Sequence, residues 1–365
     1  MAEKDKHYFA GDYTAKGFYP LYTTNFQGLD LVIKLTGVSS SVKSEAMKKI
    51  AEEWQRKGFS IEWIHCSSNN EALDGIIFPD LKIGIYDSAC GDISLETVSE
   101  AEINTDDEFL RKERLADQDN TINRYHHRIN RAFQSSLELF KTGLFVHDDL
   151  EDIYIKNMDF AKADQLAIDV KKQLYRTLEP TGKNSITKHR FFGASTPNGV
   201  IDYIPNLTED LGKRYFIKGR AGTGKSTLLR KLAAPAEKLG FDVEMYHCGF
   251  DPESMDMLIV RELDFCVFDS TDPHEYLPEK DSDEIIDLYK KTVVPGTDEK
   301  YEKEINKLTA KYKSYMKKGG VFLKKAKRNK EELDQIYRDA MKNSVIEDNF
   351  QIINEKVKQQ ANRLQ

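Results

Sequence analysis

Gly219 to Thr227 read GRAGTGKST, in which two glycines bracket four residues and a lysine and a serine follow, a spacing that can hold a phosphate chain. Glycine has no Cβ in the way and accepts positive φ. Gly219, Gly222 and Gly224 therefore let the backbone N–H groups of the loop, those of Arg220, Ala221 and Thr223 included, turn toward an anion. Lys225 would bring a full positive charge to the β- and γ-phosphates. The Ser226 hydroxyl would ligate Mg²⁺, and Thr227 completes the loop. The run ELDFCVFDS offers the partner acid, because apolar Phe265, Val267 and Phe268 end in Asp269, placed to hold magnesium through water. Beyond it, STDPHEY presents His274 and Glu275, with Asp272, which could orient an attacking water or a substrate hydroxyl. The competing reading of that segment is a polar loop capping the next helix. No glutamate follows Asp269, so the base that many ATPases place there is missing.

Such a loop needs a strand in front of it and a helix behind it. Apolar RYFIK precedes it, and the amphipathic stretch KSTLLRKLAAPAEKLG follows, adding the positive end of a helix dipole. Apolar strands alternating with helical stretches predict an α/β fold with parallel sheets.

The chain also repeats itself. Shifted by 182 residues, Phe9 meets Phe191, Gly37 meets Gly219, Lys43 meets Lys225, GFSIEWIHC lies over GFDVEMYHC, Asp74 over Asp256, and Asp87 over Asp269. After a slip of one residue, Asp152 to Met158 lie over Gln335 to Met341. Two halves are expected, 1–183 and 184–365, meeting near the polar stretch EPTGKNSITK. In the first half the loop reads GVSSSVKSE, where Ser40 replaces Gly222 and Val42 replaces Gly224. A β-branched residue resists left-handed backbone, so the first copy should fold like the second yet bind nucleotide weakly or not at all. The opening segments at 8–11 and 190–194 are candidates to pair across the halves.

Each half ends in a helical stripe: Ile122, Tyr125, Ile129, Phe133, Leu137 and Phe140 in the first, Tyr301, Ile305, Leu308, Tyr312 and Tyr315 in the second. These read as the packed seam of a helical hairpin in each half. His65-Cys66 and His247-Cys248 share one strand-end position, but adjacent His and Cys on a strand face opposite ways, which argues against zinc and leaves His247 as a residue near the phosphates. The basic run from Lys311 to Lys330 reads as a solvated helix face, with a phosphate or nucleic-acid surface as the alternative.

A hydrophobic fraction of 39% with 32% charged residues describes a soluble globular protein, and a net charge of -7 argues against nucleic acid as the main partner. Four dispersed cysteines, an opening segment MAEKDKHYFAGDY without an apolar core, and no apolar run of about 18 residues point to a cytoplasmic protein without a membrane span.

The order of FFGASTPNG, IPNLTED, RYFIKGRAGTGKST, HCGFDPESMDM, ELDFCVFDSTDPHEY and PGTDEKY resembles an uncharacterised bacterial group of tandem P-loop ATPases related to nucleotide kinases, over nearly the whole chain. That resemblance implies ATP and Mg²⁺ and supplies no substrate. The expectation is therefore two P-loop NTPase-type units with parallel sheets and helical-hairpin additions, the second binding ATP-Mg²⁺ and hydrolysing it slowly. Two alternatives stay open: a kinase for a small molecule or nucleotide, and a non-enzymatic switch in which ATP binding alters a surface for a protein or nucleic-acid partner.

Overall fold

A computed structural model describes residues 5–363 apart from 92, 94, 96–98 and 107. Met1 to Lys4, the start of the opening segment, lie outside the described residues.

The first half runs β1 (Lys6–Phe9), a hairpin of β2 (Gly11–Thr14) and β3 (Gly17–Pro20), α1 (Tyr22–Asn25), β4 (Leu31–Thr36), α2 (Ser40–Arg56), β5 (Glu62–Cys66), β6 (Asn69–Phe78), β7 (Ile83–Asp87), β8 (Ser99–Asn104), α3 (Asp119–Ile155) and α4 (Phe160–Tyr175). The second repeats the plan with β9 (Thr187–Arg190), β10 (Gly193–Thr196), β11 (Gly199–Asp202), α5 (Ile204–Thr208), β12 (Lys213–Lys218), α6 (Lys225–Leu239), β13 (Val243–His247), β14 (Met255–Val260), β15 (Phe265–Asp269) and β16 (Glu284–Asp287). Helices α7 (Leu288–Thr292), α8 (Thr297–Lys300), α9 (Glu302–Asp339) and α10 (Val345–Ala361) complete it.

Each half builds a six-stranded sheet, ordered β1-β5-β6-β7-β4-β8 and β9-β13-β14-β15-β12-β16, so the copies match strand for strand. The expectation of parallel sheets needs correction. Among the described strands of these sheets, β6 and β14 run against their neighbours, and the sheets are mixed. Chain connectivity explains the reversal: β6 reaches β7, and β14 reaches β15, through a single short turn, whereas a parallel crossover needs a dozen or more residues. Both turns close on a residue in left-handed backbone, Lys82 and Asp264. In β15, Phe265, Cys266, Val267 and Phe268 are all buried, the unbroken apolar run of a strand covered on both faces.

The opening segments meet as expected, with Phe9 and Phe191 exchanging backbone hydrogen bonds of 2.9 and 2.8 Å. Around this crossing the inner faces of both sheets share one core, in which Tyr8, Phe26 and Ile64 join Phe192, Phe216, Tyr246 and Phe268. Arg190 is fully buried there, 2.7 Å from Glu62 and 3.4 Å from Glu244, donating to Asn25 and stacked 4.0 Å from the Tyr8 ring.

The helical tails are placed differently from the sequence reading. The apolar stripes do form seams, but the long helices α3 and α9 pair antiparallel with each other across the halves. Ile129 packs with Leu333 and Tyr337, Phe140 with Leu323, and Leu150 and Tyr154 with Ile305, Leu308 and Tyr312. The shorter helices are exchanged as well. From the first half, α4 lays Leu166, Ala167 and Val170 on α6 and the second sheet. From the second, α10 lays Phe350, Ile353 and Val357 on α2 and the first sheet, and Trp54 donates to Asn354 at 3.0 Å. Among the described residues, no helix is long and apolar enough to cross a membrane.

Candidate functional site

The loop between β12 and α6 has the geometry its glycines allow. Gly222 and Gly224 sit at φ of 71° and 82°, left-handed backbone that a β-branched side chain resists, and α6 begins at Lys225. Buried Thr223 ties the loop to itself, donating to the Arg220 carbonyl at 2.8 Å and accepting from the Arg220 N–H at 3.2 Å. Its first-half counterpart has another shape. Helix α2 starts at Ser40, the residue matching Gly222, so the part of the loop matching Gly222, Thr223 and Gly224 is wound into the helix. Ser39 caps the turn by accepting from the Val42 N–H, and Val42 is buried against Met341 and Val345. The first-half loop thus differs in shape: it forms the first turn of a helix, and its N–H groups go to side chains, that of Val42 to Ser39 and that of Ser41 to Asp334.

The second loop opens into a cavity of about 1250 Å³. All nine loop residues from Gly219 to Thr227 line it, and so do Asp269 and His274. Lys225 Nζ lies 3.3 Å from Asp269 Oδ2 and donates to the Arg220 carbonyl at 3.1 Å. Ser226 Oγ accepts from the Met255 N–H at 2.9 Å and from Arg230 at 3.1 Å. Thr271 donates to Asp269 Oδ1 at 2.7 Å. Arg220 forks onto Asp298 at 2.9 and 3.2 Å, which also accepts from Tyr154 at 2.9 Å.

His274 lines the cavity with its Nδ1 held 2.8 Å from Asp202 and its ring edge-on to Phe192, which fixes the ring and leaves Nε2 as the nitrogen free of that contact. Glu275 is placed elsewhere. It lies outside the cavity, its side chain 65% exposed and 3.4 Å from Lys218, because the chain turns after His274 to bring Tyr276 onto Ser270 and Asp202. His247 is also turned away from the loop; it pairs with His189 at 2.7 Å and with the Pro252 carbonyl at 2.5 Å. Its repeat mate His65 pairs likewise with His7 at 2.9 Å. Neither His-Cys pair belongs to a metal-like cluster among the described residues. Along the basic run Tyr312 packs against His147 and Phe250, while Lys313, Lys317 and Lys324 face the cavity.

Two contributions to the site have no motif to announce them. Asp256, at the start of β14, is a cavity carboxyl pushed up to about 6 by burial and by the charge of Asp269. Its signal in the sequence was the repeat register that sets it over Asp74, itself raised to about 6 by burial. The other contribution is a wall from the first half: His147, Asp148 and Glu151 on α3 have ligand atoms within 4.8 Å of one another. Burial and the nearby Lys225 charge hold His147 down at about 4, while burial and Asp148 raise Glu151.

Two partly buried carboxyls that repel one another, a hydroxyl, and a lysine bridging to one of the carboxyls make an oxygen-rich setting that suits a hard divalent cation. Ser226, Asp269 and Asp256 are the residues that would hold Mg²⁺, and the loop amides with Lys225 would hold phosphates. Compared with protein-family models, with curated proteins and with solved structures, the chain finds no match.

Proposed function

We propose that the second half binds a nucleoside triphosphate with Mg²⁺, as the resemblance to tandem P-loop ATPases implies, and slowly hydrolyses its terminal anhydride. The observation that carries this reading is one convergence. Left-handed glycines at a helix start, Lys225, Ser226 and the Asp256–Asp269 pair all line a single cavity. Lys225 would leave Asp269 for the phosphate oxygens, and the loop N–H groups with the α6 dipole would stabilise charge on the transferring group. Bound magnesium would neutralise the carboxyl pair and the developing negative charge. Slow turnover fits the position after Asp269, where Ser270 is buried and donates its hydroxyl to the Tyr276 carbonyl at 2.7 Å, so no carboxylate base stands there.

One observation favours a second reading, phosphoryl transfer to an acceptor. The cavity exceeds the roughly 300–1,000 Å³ usual for a single small ligand, and Lys313, Lys317 and Lys324 of α9 extend it away from the loop. Calorimetry with Mg-ATP, paired with ADP release with and without an acceptor panel, separates these readings. Lys225→Ala removes a charge-assisted contact of about 1.5–3 kcal/mol and should weaken binding about ten- to hundredfold. Lys43→Ala should leave binding unchanged in protein shown by circular dichroism to be folded, because Lys43 is buried on Asp87 at 2.6 Å. No heat with the unaltered protein, or equal losses from both changes, would sink the proposal.

A further inference from the structure

The two loops share an unexpected neighbour. In the repeat register Glu151 of α3 matches Asp334 of α9, and each of these acids, carried by the long helix of one half, meets the loop of the other half. In the first-half loop the Asp334 carboxylate accepts from Ser39 Oγ at 2.7 Å, from the Ser41 N–H at 3.4 Å and from the Ser41 hydroxyl. Arg338, one turn along α9, braces this arrangement by donating to Ser41 at 3.0 Å and to Glu45. In the second half α3 crosses directly over Gly222, so that a Cβ there would lie 2.7 Å from the Glu151 carbonyl and 3.0 Å from Ile155. Glu151 lines the same cavity as Gly222 and Lys225, whose N–H and charge lie near enough to act on its carboxyl. Both loops therefore have an acid from the opposite half set against them, held by hydrogen bonds to the loop's donors in the first and lying beside Gly222 in the second.

The holds differ in strength. Asp334 is fixed by two hydroxyls and an amide, on a loop already wound into helix. Glu151 has Ala221 and Thr223 where those serines stand, the Thr223 hydroxyl being given to the Arg220 carbonyl; it keeps its side chain 37% exposed and has His147 3.7 Å away.

We propose that Glu151 is an internal stand-in for phosphate: it occupies the second loop until a phosphate-bearing ligand displaces it, while Asp334 fills the first loop permanently. This deepens the proposed function and rests on that reading. The affinity seen by a ligand is its intrinsic affinity reduced by the fraction of time the loop is free, so a loop occupied nine-tenths of the time binds about tenfold more weakly than a vacant one.

The test uses the full chain and its Glu151→Gln and Glu151→Ala variants, with Mg-ATP and with inorganic tripolyphosphate as probes. Calorimetry reads affinity, and amide hydrogen exchange reads the loop in free protein. The expected result is about tenfold tighter binding of both probes by both variants, with faster exchange across 219–226 before ligand is added. The Gln variant is isosteric, so it keeps the test open should the Ala variant misfold. Unchanged or weaker binding by folded variants, while the unaltered chain binds, would overturn the stand-in and leave the nucleotide site in place. So would unchanged affinity with lost turnover, which would make Glu151 a catalytic residue. Absence of binding by all three proteins would remove the nucleotide reading, and the stand-in with it.

Discussion

Placing valine at Gly224 gives the second loop the residue found at the same point of the first, and the backbone there sets its cost. Gly224 has φ of 82°, where a β-branched residue costs about 1–3 kcal/mol. The new Cβ would also lie 3.3 Å from the terminal methyl of Met158, a flexible group that can give way, so backbone strain dominates. The chain has a way to relieve that strain, already present in α2: winding the residues before the lysine into the helix. Relief of this kind re-aims the loop N–H groups from the cavity to local side-chain acceptors, as in α2, where Ser41 and Val42 give theirs to Asp334 and Ser39. Losing two charge-assisted hydrogen bonds to a phosphate, about 1.5–3 kcal/mol each, weakens Mg-ATP binding by two to four powers of ten. Calorimetry measures that loss, and far-UV circular dichroism should show helix content that is kept or raised. The reciprocal Val42→Gly change should confer no binding, since Asp334 and Ser40 remain. Mg-ATP binding by Gly224→Val within threefold of the unaltered protein would refute the assignment of the loop amides as the phosphate cradle.

Arg190→Met should destabilise the protein by about 3–5 kcal/mol at neutral pH, because it strands Glu62 and Glu244 in the shared core. Burial alone would raise the Glu62 carboxyl, but Arg190, Lys188 and Lys6 hold it down at about 2; the native pairing therefore stabilises fully above the usual glutamate range and is lost as pH falls through 2. In the variant Glu62 can take a proton, so urea titrations should show the deficit shrinking between pH 7 and pH 4, and a deficit constant with pH would contradict the role given to Arg190. Burial holds His65 and His247 at about 4, below the ordinary histidine value, so their contribution is complete above pH 6.5 and declines as pH falls toward 4. Asp74 and Asp256 work in the opposite sense over the same window, so the informative quantity is a difference: the His65→Gln and His247→Gln double variant should lose less stability than the unaltered protein between pH 7 and pH 4.5, and parallel curves would count against the buried neutral pairs.

The glycine loop, its lysine and serine, the acid closing the next strand and the decay of the first copy were all legible, because each depends on backbone chemistry within a few residues. The reversed strands were less so: β14 carries the continuous apolar run of any buried strand, and only the shortness of the turn at Arg261 to Leu263 discloses its direction. The stripes on α3 and α9 told which face is buried but not against what, since a helical period is silent about its partner. Asp256 and Glu151 escaped for a related reason. Their part in the site comes from chain segments distant in sequence, Glu151 even from the other half, and neither stands in a local pattern. Glu275 shows the converse, a residue of suitable type beside a true cavity residue, carried out to solvent by the turn that follows His274.

The exchange of α4 and α10 has a consequence for how this chain can be divided. A cut anywhere between Arg176 and Thr187 would give two fragments of nearly equal length, each holding the outer covering of the other. Separate, each would expose the apolar strip its missing helix should shield and would surrender the far wall of its own loop. Neither half, as the chain is folded, carries a complete shell of its own.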